Sequence, residues 1–192
     1  MLSVIVPVYN ERETVCRVLE EIGSALKAID HEIVVIDDGS TDGSGDLLKG
    51  LDDIKLIRHG DNCGYGYSIK DGIGKASGDL IAIIDADGTY PADQIPKMLK
   101  LLDANQMVVA ERRPLPSLNY LAKLILRGLV WIFTRSRVPD LNSGLRVFRK
   151  ELAIPYMHLL PDGYSFTTTI TIACLANHRR IVYFPIEYRV RG

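Results

Sequence analysis

A chain of 192 residues with 47% hydrophobic and 24% charged residues has the length and make-up of one ordinary globular domain, which excludes disorder and collagen-like repeats. Its 23 basic and 24 acidic side chains leave a net charge of −1, so no charge excess steers it toward nucleic acid. Cys16, Cys63 and Cys174 are too scattered for a disulfide framework or a zinc knuckle and fit a reducing compartment, and the four histidines form no H-x-x-x-H pair.

No basic leader precedes Leu2, and no window of about 18 apolar residues is present. A soluble chain, or one lying on a membrane surface, is expected. Residues 2–9 (LSVIVPVY) read as a buried strand, and residues 13–29 place Val15, Val18, Leu19, Ile22, Leu26 and Ile29 at helical spacing. Residues 32–37 (EIVVID) form a second strand that ends in the turn residues Asp38-Gly39-Ser40-Thr41-Asp42. A short strand at 54–58, a glycine-loosened helix at 65–77 and an apolar strand at 79–85 (DLIAIID) follow. Pro91 opens a helix with Ile95, Met98, Leu99 and Leu102 on one face, and a strand is expected at 107–110. Apolar strands alternating with helices predict an α/β fold with a mostly parallel central sheet covered by helices on both faces.

Past residue 111 the rhythm changes. A helix is expected at 118–134 and strands at 145–148 and 181–188; residues 165–176 carry strand-like threonines over a helix-like length. No linker or repeat divides the chain, so residues 1–192 read as a single domain with a nucleotide-fold front half (1–111) and a more specialised back half (112–192).

In an open parallel sheet, ligands bind at the carboxyl ends of the strands. Three predicted strands deliver polar groups there: Tyr9-Asn10-Glu11, Asp37-Asp38-Gly39-Ser40 and Asp85-Ala86-Asp87-Gly88. Two carboxylates spaced D-x-D at the mouth of an apolar strand suit Mg²⁺ or Mn²⁺ bridging to a diphosphate. The bland alternative is that Asp87 caps the following helix while Asp85 holds a loop amide. Asp38-x-Ser40-x-Asp42-Gly43 imitates a calcium loop, but its twelfth position is Lys49 rather than an acid. Asp85-Ala86-Asp87-Gly88-Thr89 also resembles the nucleophile motif of haloacid-dehalogenase-type phosphatases; the acids after Asp87 are isolated, without the paired acids that chemistry needs. No G-x-G-x-x-G or G-K-[ST] occurs, so the glycines near 64–74 are expected to let a helix lie close to the sheet.

Val6-Pro7-Val8-Tyr9-Asn10-Glu11, Asp37-Asp38-Gly39-Ser40-Thr41-Asp42 and Asp85-Ala86-Asp87, in that order, resemble the family two inverting glycosyltransferases with the GT-A (nucleotide-diphospho-sugar transferase) fold. Asn62-Cys63-Gly64-Tyr65-Gly66, the run DADGTYP at 85–91 and Asp140-Leu141-Asn142-Ser143-Gly144-Leu145-Arg146 resemble the polyprenyl-phosphate, dolichol-phosphate mannose synthase-like branch. The resemblance implies that Pro7, Tyr9, Glu11 and Asp38 hold the base and ribose of a UDP- or GDP-linked sugar. It further implies that Asp85 reaches the nucleotide or its metal, with Asp87 the direct ligand of Mg²⁺ or Mn²⁺. Arg112 and Arg127 would face an acceptor phosphate on a polyprenyl or dolichyl lipid. Asp140, Ser143 and Arg146 would wall the acceptor side, with Asp140 orienting the acceptor or acting as base.

Lys123, Arg127, Trp131 and Arg135 recur every four residues and so share one helical stripe, as suits a peripheral membrane surface, or equally a set of solvated cations around a core tryptophan. The Q-x-x-R-W signature of processive synthases is missing, so single-sugar transfer is expected, and the resemblance implies that it takes place at the cytoplasmic face of the membrane. Family members usually continue beyond the equivalent of Arg191-Gly192, so an inactive nucleotide-sugar-binding subunit stands as the alternative.

Overall fold

The structure, a computed structural model, describes residues 1–113, 128, 131, 136 and 138–189. Strand β1 (Leu2–Val8) leads to α1 (Val15–Leu26), β2 (His31–Asp37), α2 (Ser44–Leu48), β3 (Lys55–Arg58), α3 (Tyr65–Lys75) and β4 (Leu80–Ile83). A 3₁₀ turn then enters α4 (Ile95–Lys100), followed by β5 (Met107–Arg113), β6 (Arg146–Arg149), α5 (Lys150–Ala153), α6 (Phe166–Ala176) and β7 (Ile181–Glu187). Residues 165–176 thus resolve as helix. Their threonines are accommodated because Thr171 Oγ1 returns a hydrogen bond to the Thr167 carbonyl one turn back. The expected 118–134 helix, including Arg127, lies outside the described residues except for Gly128 and Trp131.

All seven strands join one sheet in the order β3-β2-β1-β4-β6-β5-β7. Every pairing is parallel except those of β6, which runs antiparallel to both β4 and β5. Periodicity does not encode strand direction, so that reversal was not readable from the apolar pattern. It matters for the site. Because β6 runs backwards, the residues that precede it sit at the same edge as the carboxyl ends of β1, β2, β4, β5 and β7.

The sheet buries both faces. Leu2, Val4, Val6 and Val8 of β1 pack with Val15, Val18, Leu19, Ile22 and Leu26 of α1, the face expected from helical spacing. Ile5 turns the other way, to Ile36 of β2 and Ile69 and Ile73 of α3. Gly72 lets α3 lie against that face, since a Cβ there would sit 2.7 Å from Ile5 Cγ2 and 2.8 Å from Ile36 Cδ1. Each large aliphatic side chain removed from water in these layers contributes about 1.5–3 kcal/mol.

Candidate active site

Register sets the site. Val8 of β1 lies opposite Asp37 of β2, and Ile5 lies opposite Ile83 of β4. Asp38 and Asp85 therefore flank the end of β1, roughly 10 Å apart at ordinary strand spacing. Together with Pro7, Tyr9, Glu11, Ala86 and Asp87 they line a cleft of about 930 Å³.

Four hydrogen bonds fix the loop after β1. Asn10 takes a left-handed φ of 57°, donates its N–H to Ser40 Oγ (3.0 Å) and accepts Thr41 N–H on Oδ1 (2.8 Å). Glu11 N–H donates to Ser44 Oγ at 3.0 Å. Thr14 Oγ1 donates to the Ala86 carbonyl at 2.8 Å, which ties this loop to the Asp85–Asp87 turn. Tyr9 stands at the rim of the cleft with 47% of its surface exposed.

Asp38 is buried, and both its oxygens are in use. Oδ1 accepts Cys63 N–H (3.0 Å) and His59 Nδ1–H (2.6 Å), and Oδ2 accepts Gly64 N–H (2.8 Å). Asp38 thereby shapes the 62–64 loop that forms another cleft wall. Asp38, His59 and Cys63 also place their potential ligand atoms within 4.8 Å of one another. As the structure stands, the Asp38 oxygens are engaged directly by the His59 ring and by two amides.

Asp85 lies past the end of β4, which stops at Ile83, and is half-buried. Its Oδ1 accepts the Tyr65 hydroxyl at 2.8 Å, and Gly144 packs so closely that a Cβ there would overlap the carboxylate. Gly144 N–H in turn donates to Tyr90 Oη at 2.7 Å. Burial pushes the Asp85 carboxyl up to about 6; the Asp87 charge adds to this, while the Tyr65 hydrogen bond and the charges of Arg146 and Arg112 oppose it. Asp87 Oδ1 accepts Thr89 N–H (3.0 Å) and Oγ1–H (2.7 Å), and among the described residues no hydrogen bond reaches its Oδ2. The reading of Asp87 as a helix cap thus becomes a short Asx turn that leaves one oxygen for a ligand. Two acids two residues apart, one of them holding its proton unusually tightly, form a donor set that a hard divalent cation relieves. The pair fits such an ion.

Arg112 and Asp140 form a two-pronged ion pair, Nε to Oδ2 at 2.8 Å and Nη2 to Oδ1 at 2.9 Å. Asp140 also accepts the backbone N–H groups of Arg112 (3.3 Å) and Asn142 (3.2 Å). The Arg112 guanidinium stacks 5.4 Å from the centre of the Tyr188 ring. Burial alone would lower the Arg112 pKa, yet the hydrogen bonds it donates to the Asp140 carboxylate hold it above its ordinary value. Arg146 is fully buried and donates to the carbonyls of Thr167 (3.1 Å) and Ser143 (2.5 Å) and to Thr171 Oγ1 (3.3 Å). Burial pushes its pKa down.

The structure therefore gathers Pro7, Tyr9, Glu11, Asp38, Asp85 and Asp87 around one cleft. It does not bring Ser143 or Arg146 to the cleft surface: both are fully buried, and Arg146 clamps the 143–144 loop to the start of α6. Arg112 and Asp140 do not line the cleft either, and Arg127 lies outside the described residues. Sequence reasoning met Tyr65 and Asn142 only inside the motifs at 62–66 and 140–146, without a site role, and did not single out Tyr164 or Thr168 for the site; all four line the cleft. The remaining sequence signal was a tyrosine directly after the Asp162-Gly163 turn.

Comparison with solved structures defines the class. The chain superposes over its full length on glucosyl-3-phosphoglycerate synthase from Mycobacterium tuberculosis, crystallised with Mn²⁺, UDP and phosphoglyceric acid, with a TM-score of 0.80, 21% identity and 70% of that chain covered. The fold is accordingly the GT-A fold of sugar-nucleotide transferases. Residues 3–153 match Glycosyl transferase family 2, and the chain belongs to that family. Among curated relatives, the dolichol-phosphate mannosyltransferase of Pyrococcus furiosus is 28% identical over the whole chain. The undecaprenyl-phosphate 4-deoxy-4-formamido-L-arabinose transferase of Serratia proteamaculans is 29% identical over 79% of the chain. The chain spans 57% and 49% of the lengths of these two relatives.

Proposed function

We propose that this chain carries the catalytic domain of a metal-dependent, inverting glycosyltransferase that moves one sugar from a UDP- or GDP-linked donor to a polyprenyl or dolichyl phosphate. The observation that carries this reading is the convergence of Tyr9, Asp38, Asp85 and Asp87, from three neighbouring strand ends, on one cleft. The relatives named for lipid-phosphate acceptors support the acceptor class. Nothing in the fold or the comparisons favours the phosphatase or the inactive-subunit alternative.

Tyr9 offers a face to the base, with Pro7, Glu11 and the loop held by Asp38 around it. Mg²⁺ or Mn²⁺ bound by Asp85 and Asp87 would supply electrostatic stabilisation of the departing nucleoside diphosphate. A phosphate acceptor is already ionised at neutral pH, so it needs positioning more than a base. Asp140, with its oxygens engaged by Arg112 and two backbone amides, supports an orienting role: it fixes the Arg112 guanidinium plane on the acceptor side. Ser143 and Arg146 act from beneath, by fixing the loop that presents Asn142 and Gly144. No helix among the described residues is long and apolar enough to cross a membrane. A peripheral position at the cytoplasmic membrane face, with the exposed Trp131 near the lipid headgroups, completes the proposal.

The test is to supply the protein with radiolabelled UDP- and GDP-hexoses, Mn²⁺, and vesicles containing undecaprenyl or dolichyl phosphate. Label entering the lipid phase, with the anomeric configuration of the donor inverted, is the expected result. Release of free hexose or phosphate with no labelled lipid from any pairing would overturn the reading.

A further inference from the structure

Tyr164 is the most exposed large apolar side chain among the described residues, at 84%, yet its loop is tightly held. The Asp162 carbonyl accepts the N–H groups of Gly66 (2.6 Å) and Tyr67 (3.0 Å) at the start of α3. Lys70 pairs with Asp162 Oδ1 at 2.5 Å and donates to the Leu160 carbonyl at 3.0 Å. Gly64 and Gly66 permit this approach, because a Cβ on either would run into the carbonyls of residues 161–163. On that fixed loop the Tyr164 ring stacks on Tyr65, with centroids 5.6 Å apart and planes 20° from parallel. Tyr65 in turn touches Asp85 through its hydroxyl.

Beyond its stack on Tyr65, a ring left mostly in water on a pinned backbone adds little to the fold, but its open face is already organised to receive a flat apolar face. From these contacts we infer that Tyr164 is the stacking platform for the sugar ring of the nucleotide-sugar donor, a subsite that rests on the function proposed above. Two observations select a sugar over the lipid chain of the acceptor. The sugar is covalently attached to the diphosphate, and the Tyr65–Asp85 contact places the stacked pair beside the diphosphate position. The neighbouring lining is Asn142, Ser165, Thr167 and Thr168, with Thr168 Oγ1 donating to Asn142 Oδ1 at 2.7 Å. Hydroxyl and amide groups match the hydroxyls of a hexose, whereas an isoprenoid needs an apolar lining.

The test compares wild type, Tyr164→Ala and Tyr164→Phe by calorimetry with Mn²⁺, titrating UDP against UDP-glucose and GDP against GDP-mannose. For whichever nucleotide the wild type binds, Tyr164→Ala is expected to keep the free diphosphate within about twofold and to weaken the hexose ester about three- to tenfold; Tyr164→Phe restores it. An unchanged melting temperature is expected for both variants, since the ring is exposed. Equal losses for diphosphate and hexose ester, no loss at all, or a loss confined to the KM of polyprenyl phosphate would overturn the inference while leaving the transferase reading intact. A wild type that binds none of the four ligands would remove the transferase reading, and this subsite with it.

Discussion

Replacing Asp85 with asparagine should stabilise the metal-free protein while destroying its function. Burial and the neighbouring Asp87 charge push the Asp85 carboxyl up from 3.8 to about 6. The fold thus binds this proton more tightly than the unfolded chain does. Stability from this group is present in full below about pH 4 and is lost as pH rises through about 6. At about 1.36 kcal/mol per pH unit the displacement corresponds to about 3 kcal/mol, and contact with water at the cleft reduces this to about 2 kcal/mol. Asparagine has the same shape, still accepts from the Tyr65 hydroxyl and carries no charge. Urea unfolding in EDTA should therefore show the variant more stable by about 2 kcal/mol at pH 8, or about 4–8 °C in melting temperature for a domain of this size. The difference should vanish near pH 4. A variant no more stable than wild type at pH 8, or an advantage independent of pH, would refute the reasoning.

Other substitutions separate shaping from chemistry. Asp38→Ala leaves the amides of Cys63 and Gly64 and the His59 ring without an acceptor, and should lower unfolding stability by about 2–4 kcal/mol in urea titrations. Asp140→Asn breaks the forked pair with a mostly buried Arg112; a loss of about 3 kcal/mol is expected, together with a raised KM for the lipid phosphate at unchanged donor affinity. Gly144→Ala forces a methyl into the Asp85 carboxylate and should weaken Mn²⁺-dependent nucleotide binding at least tenfold by calorimetry.

The front half of the chain was legible because its signals are local. Unbroken β-branched runs such as 32–37 can only be strands buried on both faces, and the α1 apolar face follows directly from its 3.6-residue spacing. The strand-end acids were legible for the same reason: a parallel sheet sends its carboxyl ends to one edge. The back half depends on long-range geometry. The reversal of β6 brings Gly144 beside Asp85, and neither partner signals the other in sequence. Arg146 looks like a phosphate ligand in a polar loop, yet its alternating position in β6 points it inward, where only carbonyls and a threonine receive it. Tyr65 and Tyr164 lie about a hundred residues apart and meet only because Asp162 docks on the start of α3.

In the proposed function Asp85 and Asp87 would hold the cation that stabilises the departing nucleoside diphosphate. Titrating UDP and GDP into wild type and Asp87→Ala, each with Mn²⁺ and again with EDTA, tests it directly. Wild type should bind one of them in Mn²⁺ and lose at least tenfold affinity in EDTA, whereas Asp87→Ala, still folded in thermal melts although Thr89 loses its acceptor, should bind weakly in both. Equal affinity in all four conditions would contradict the account.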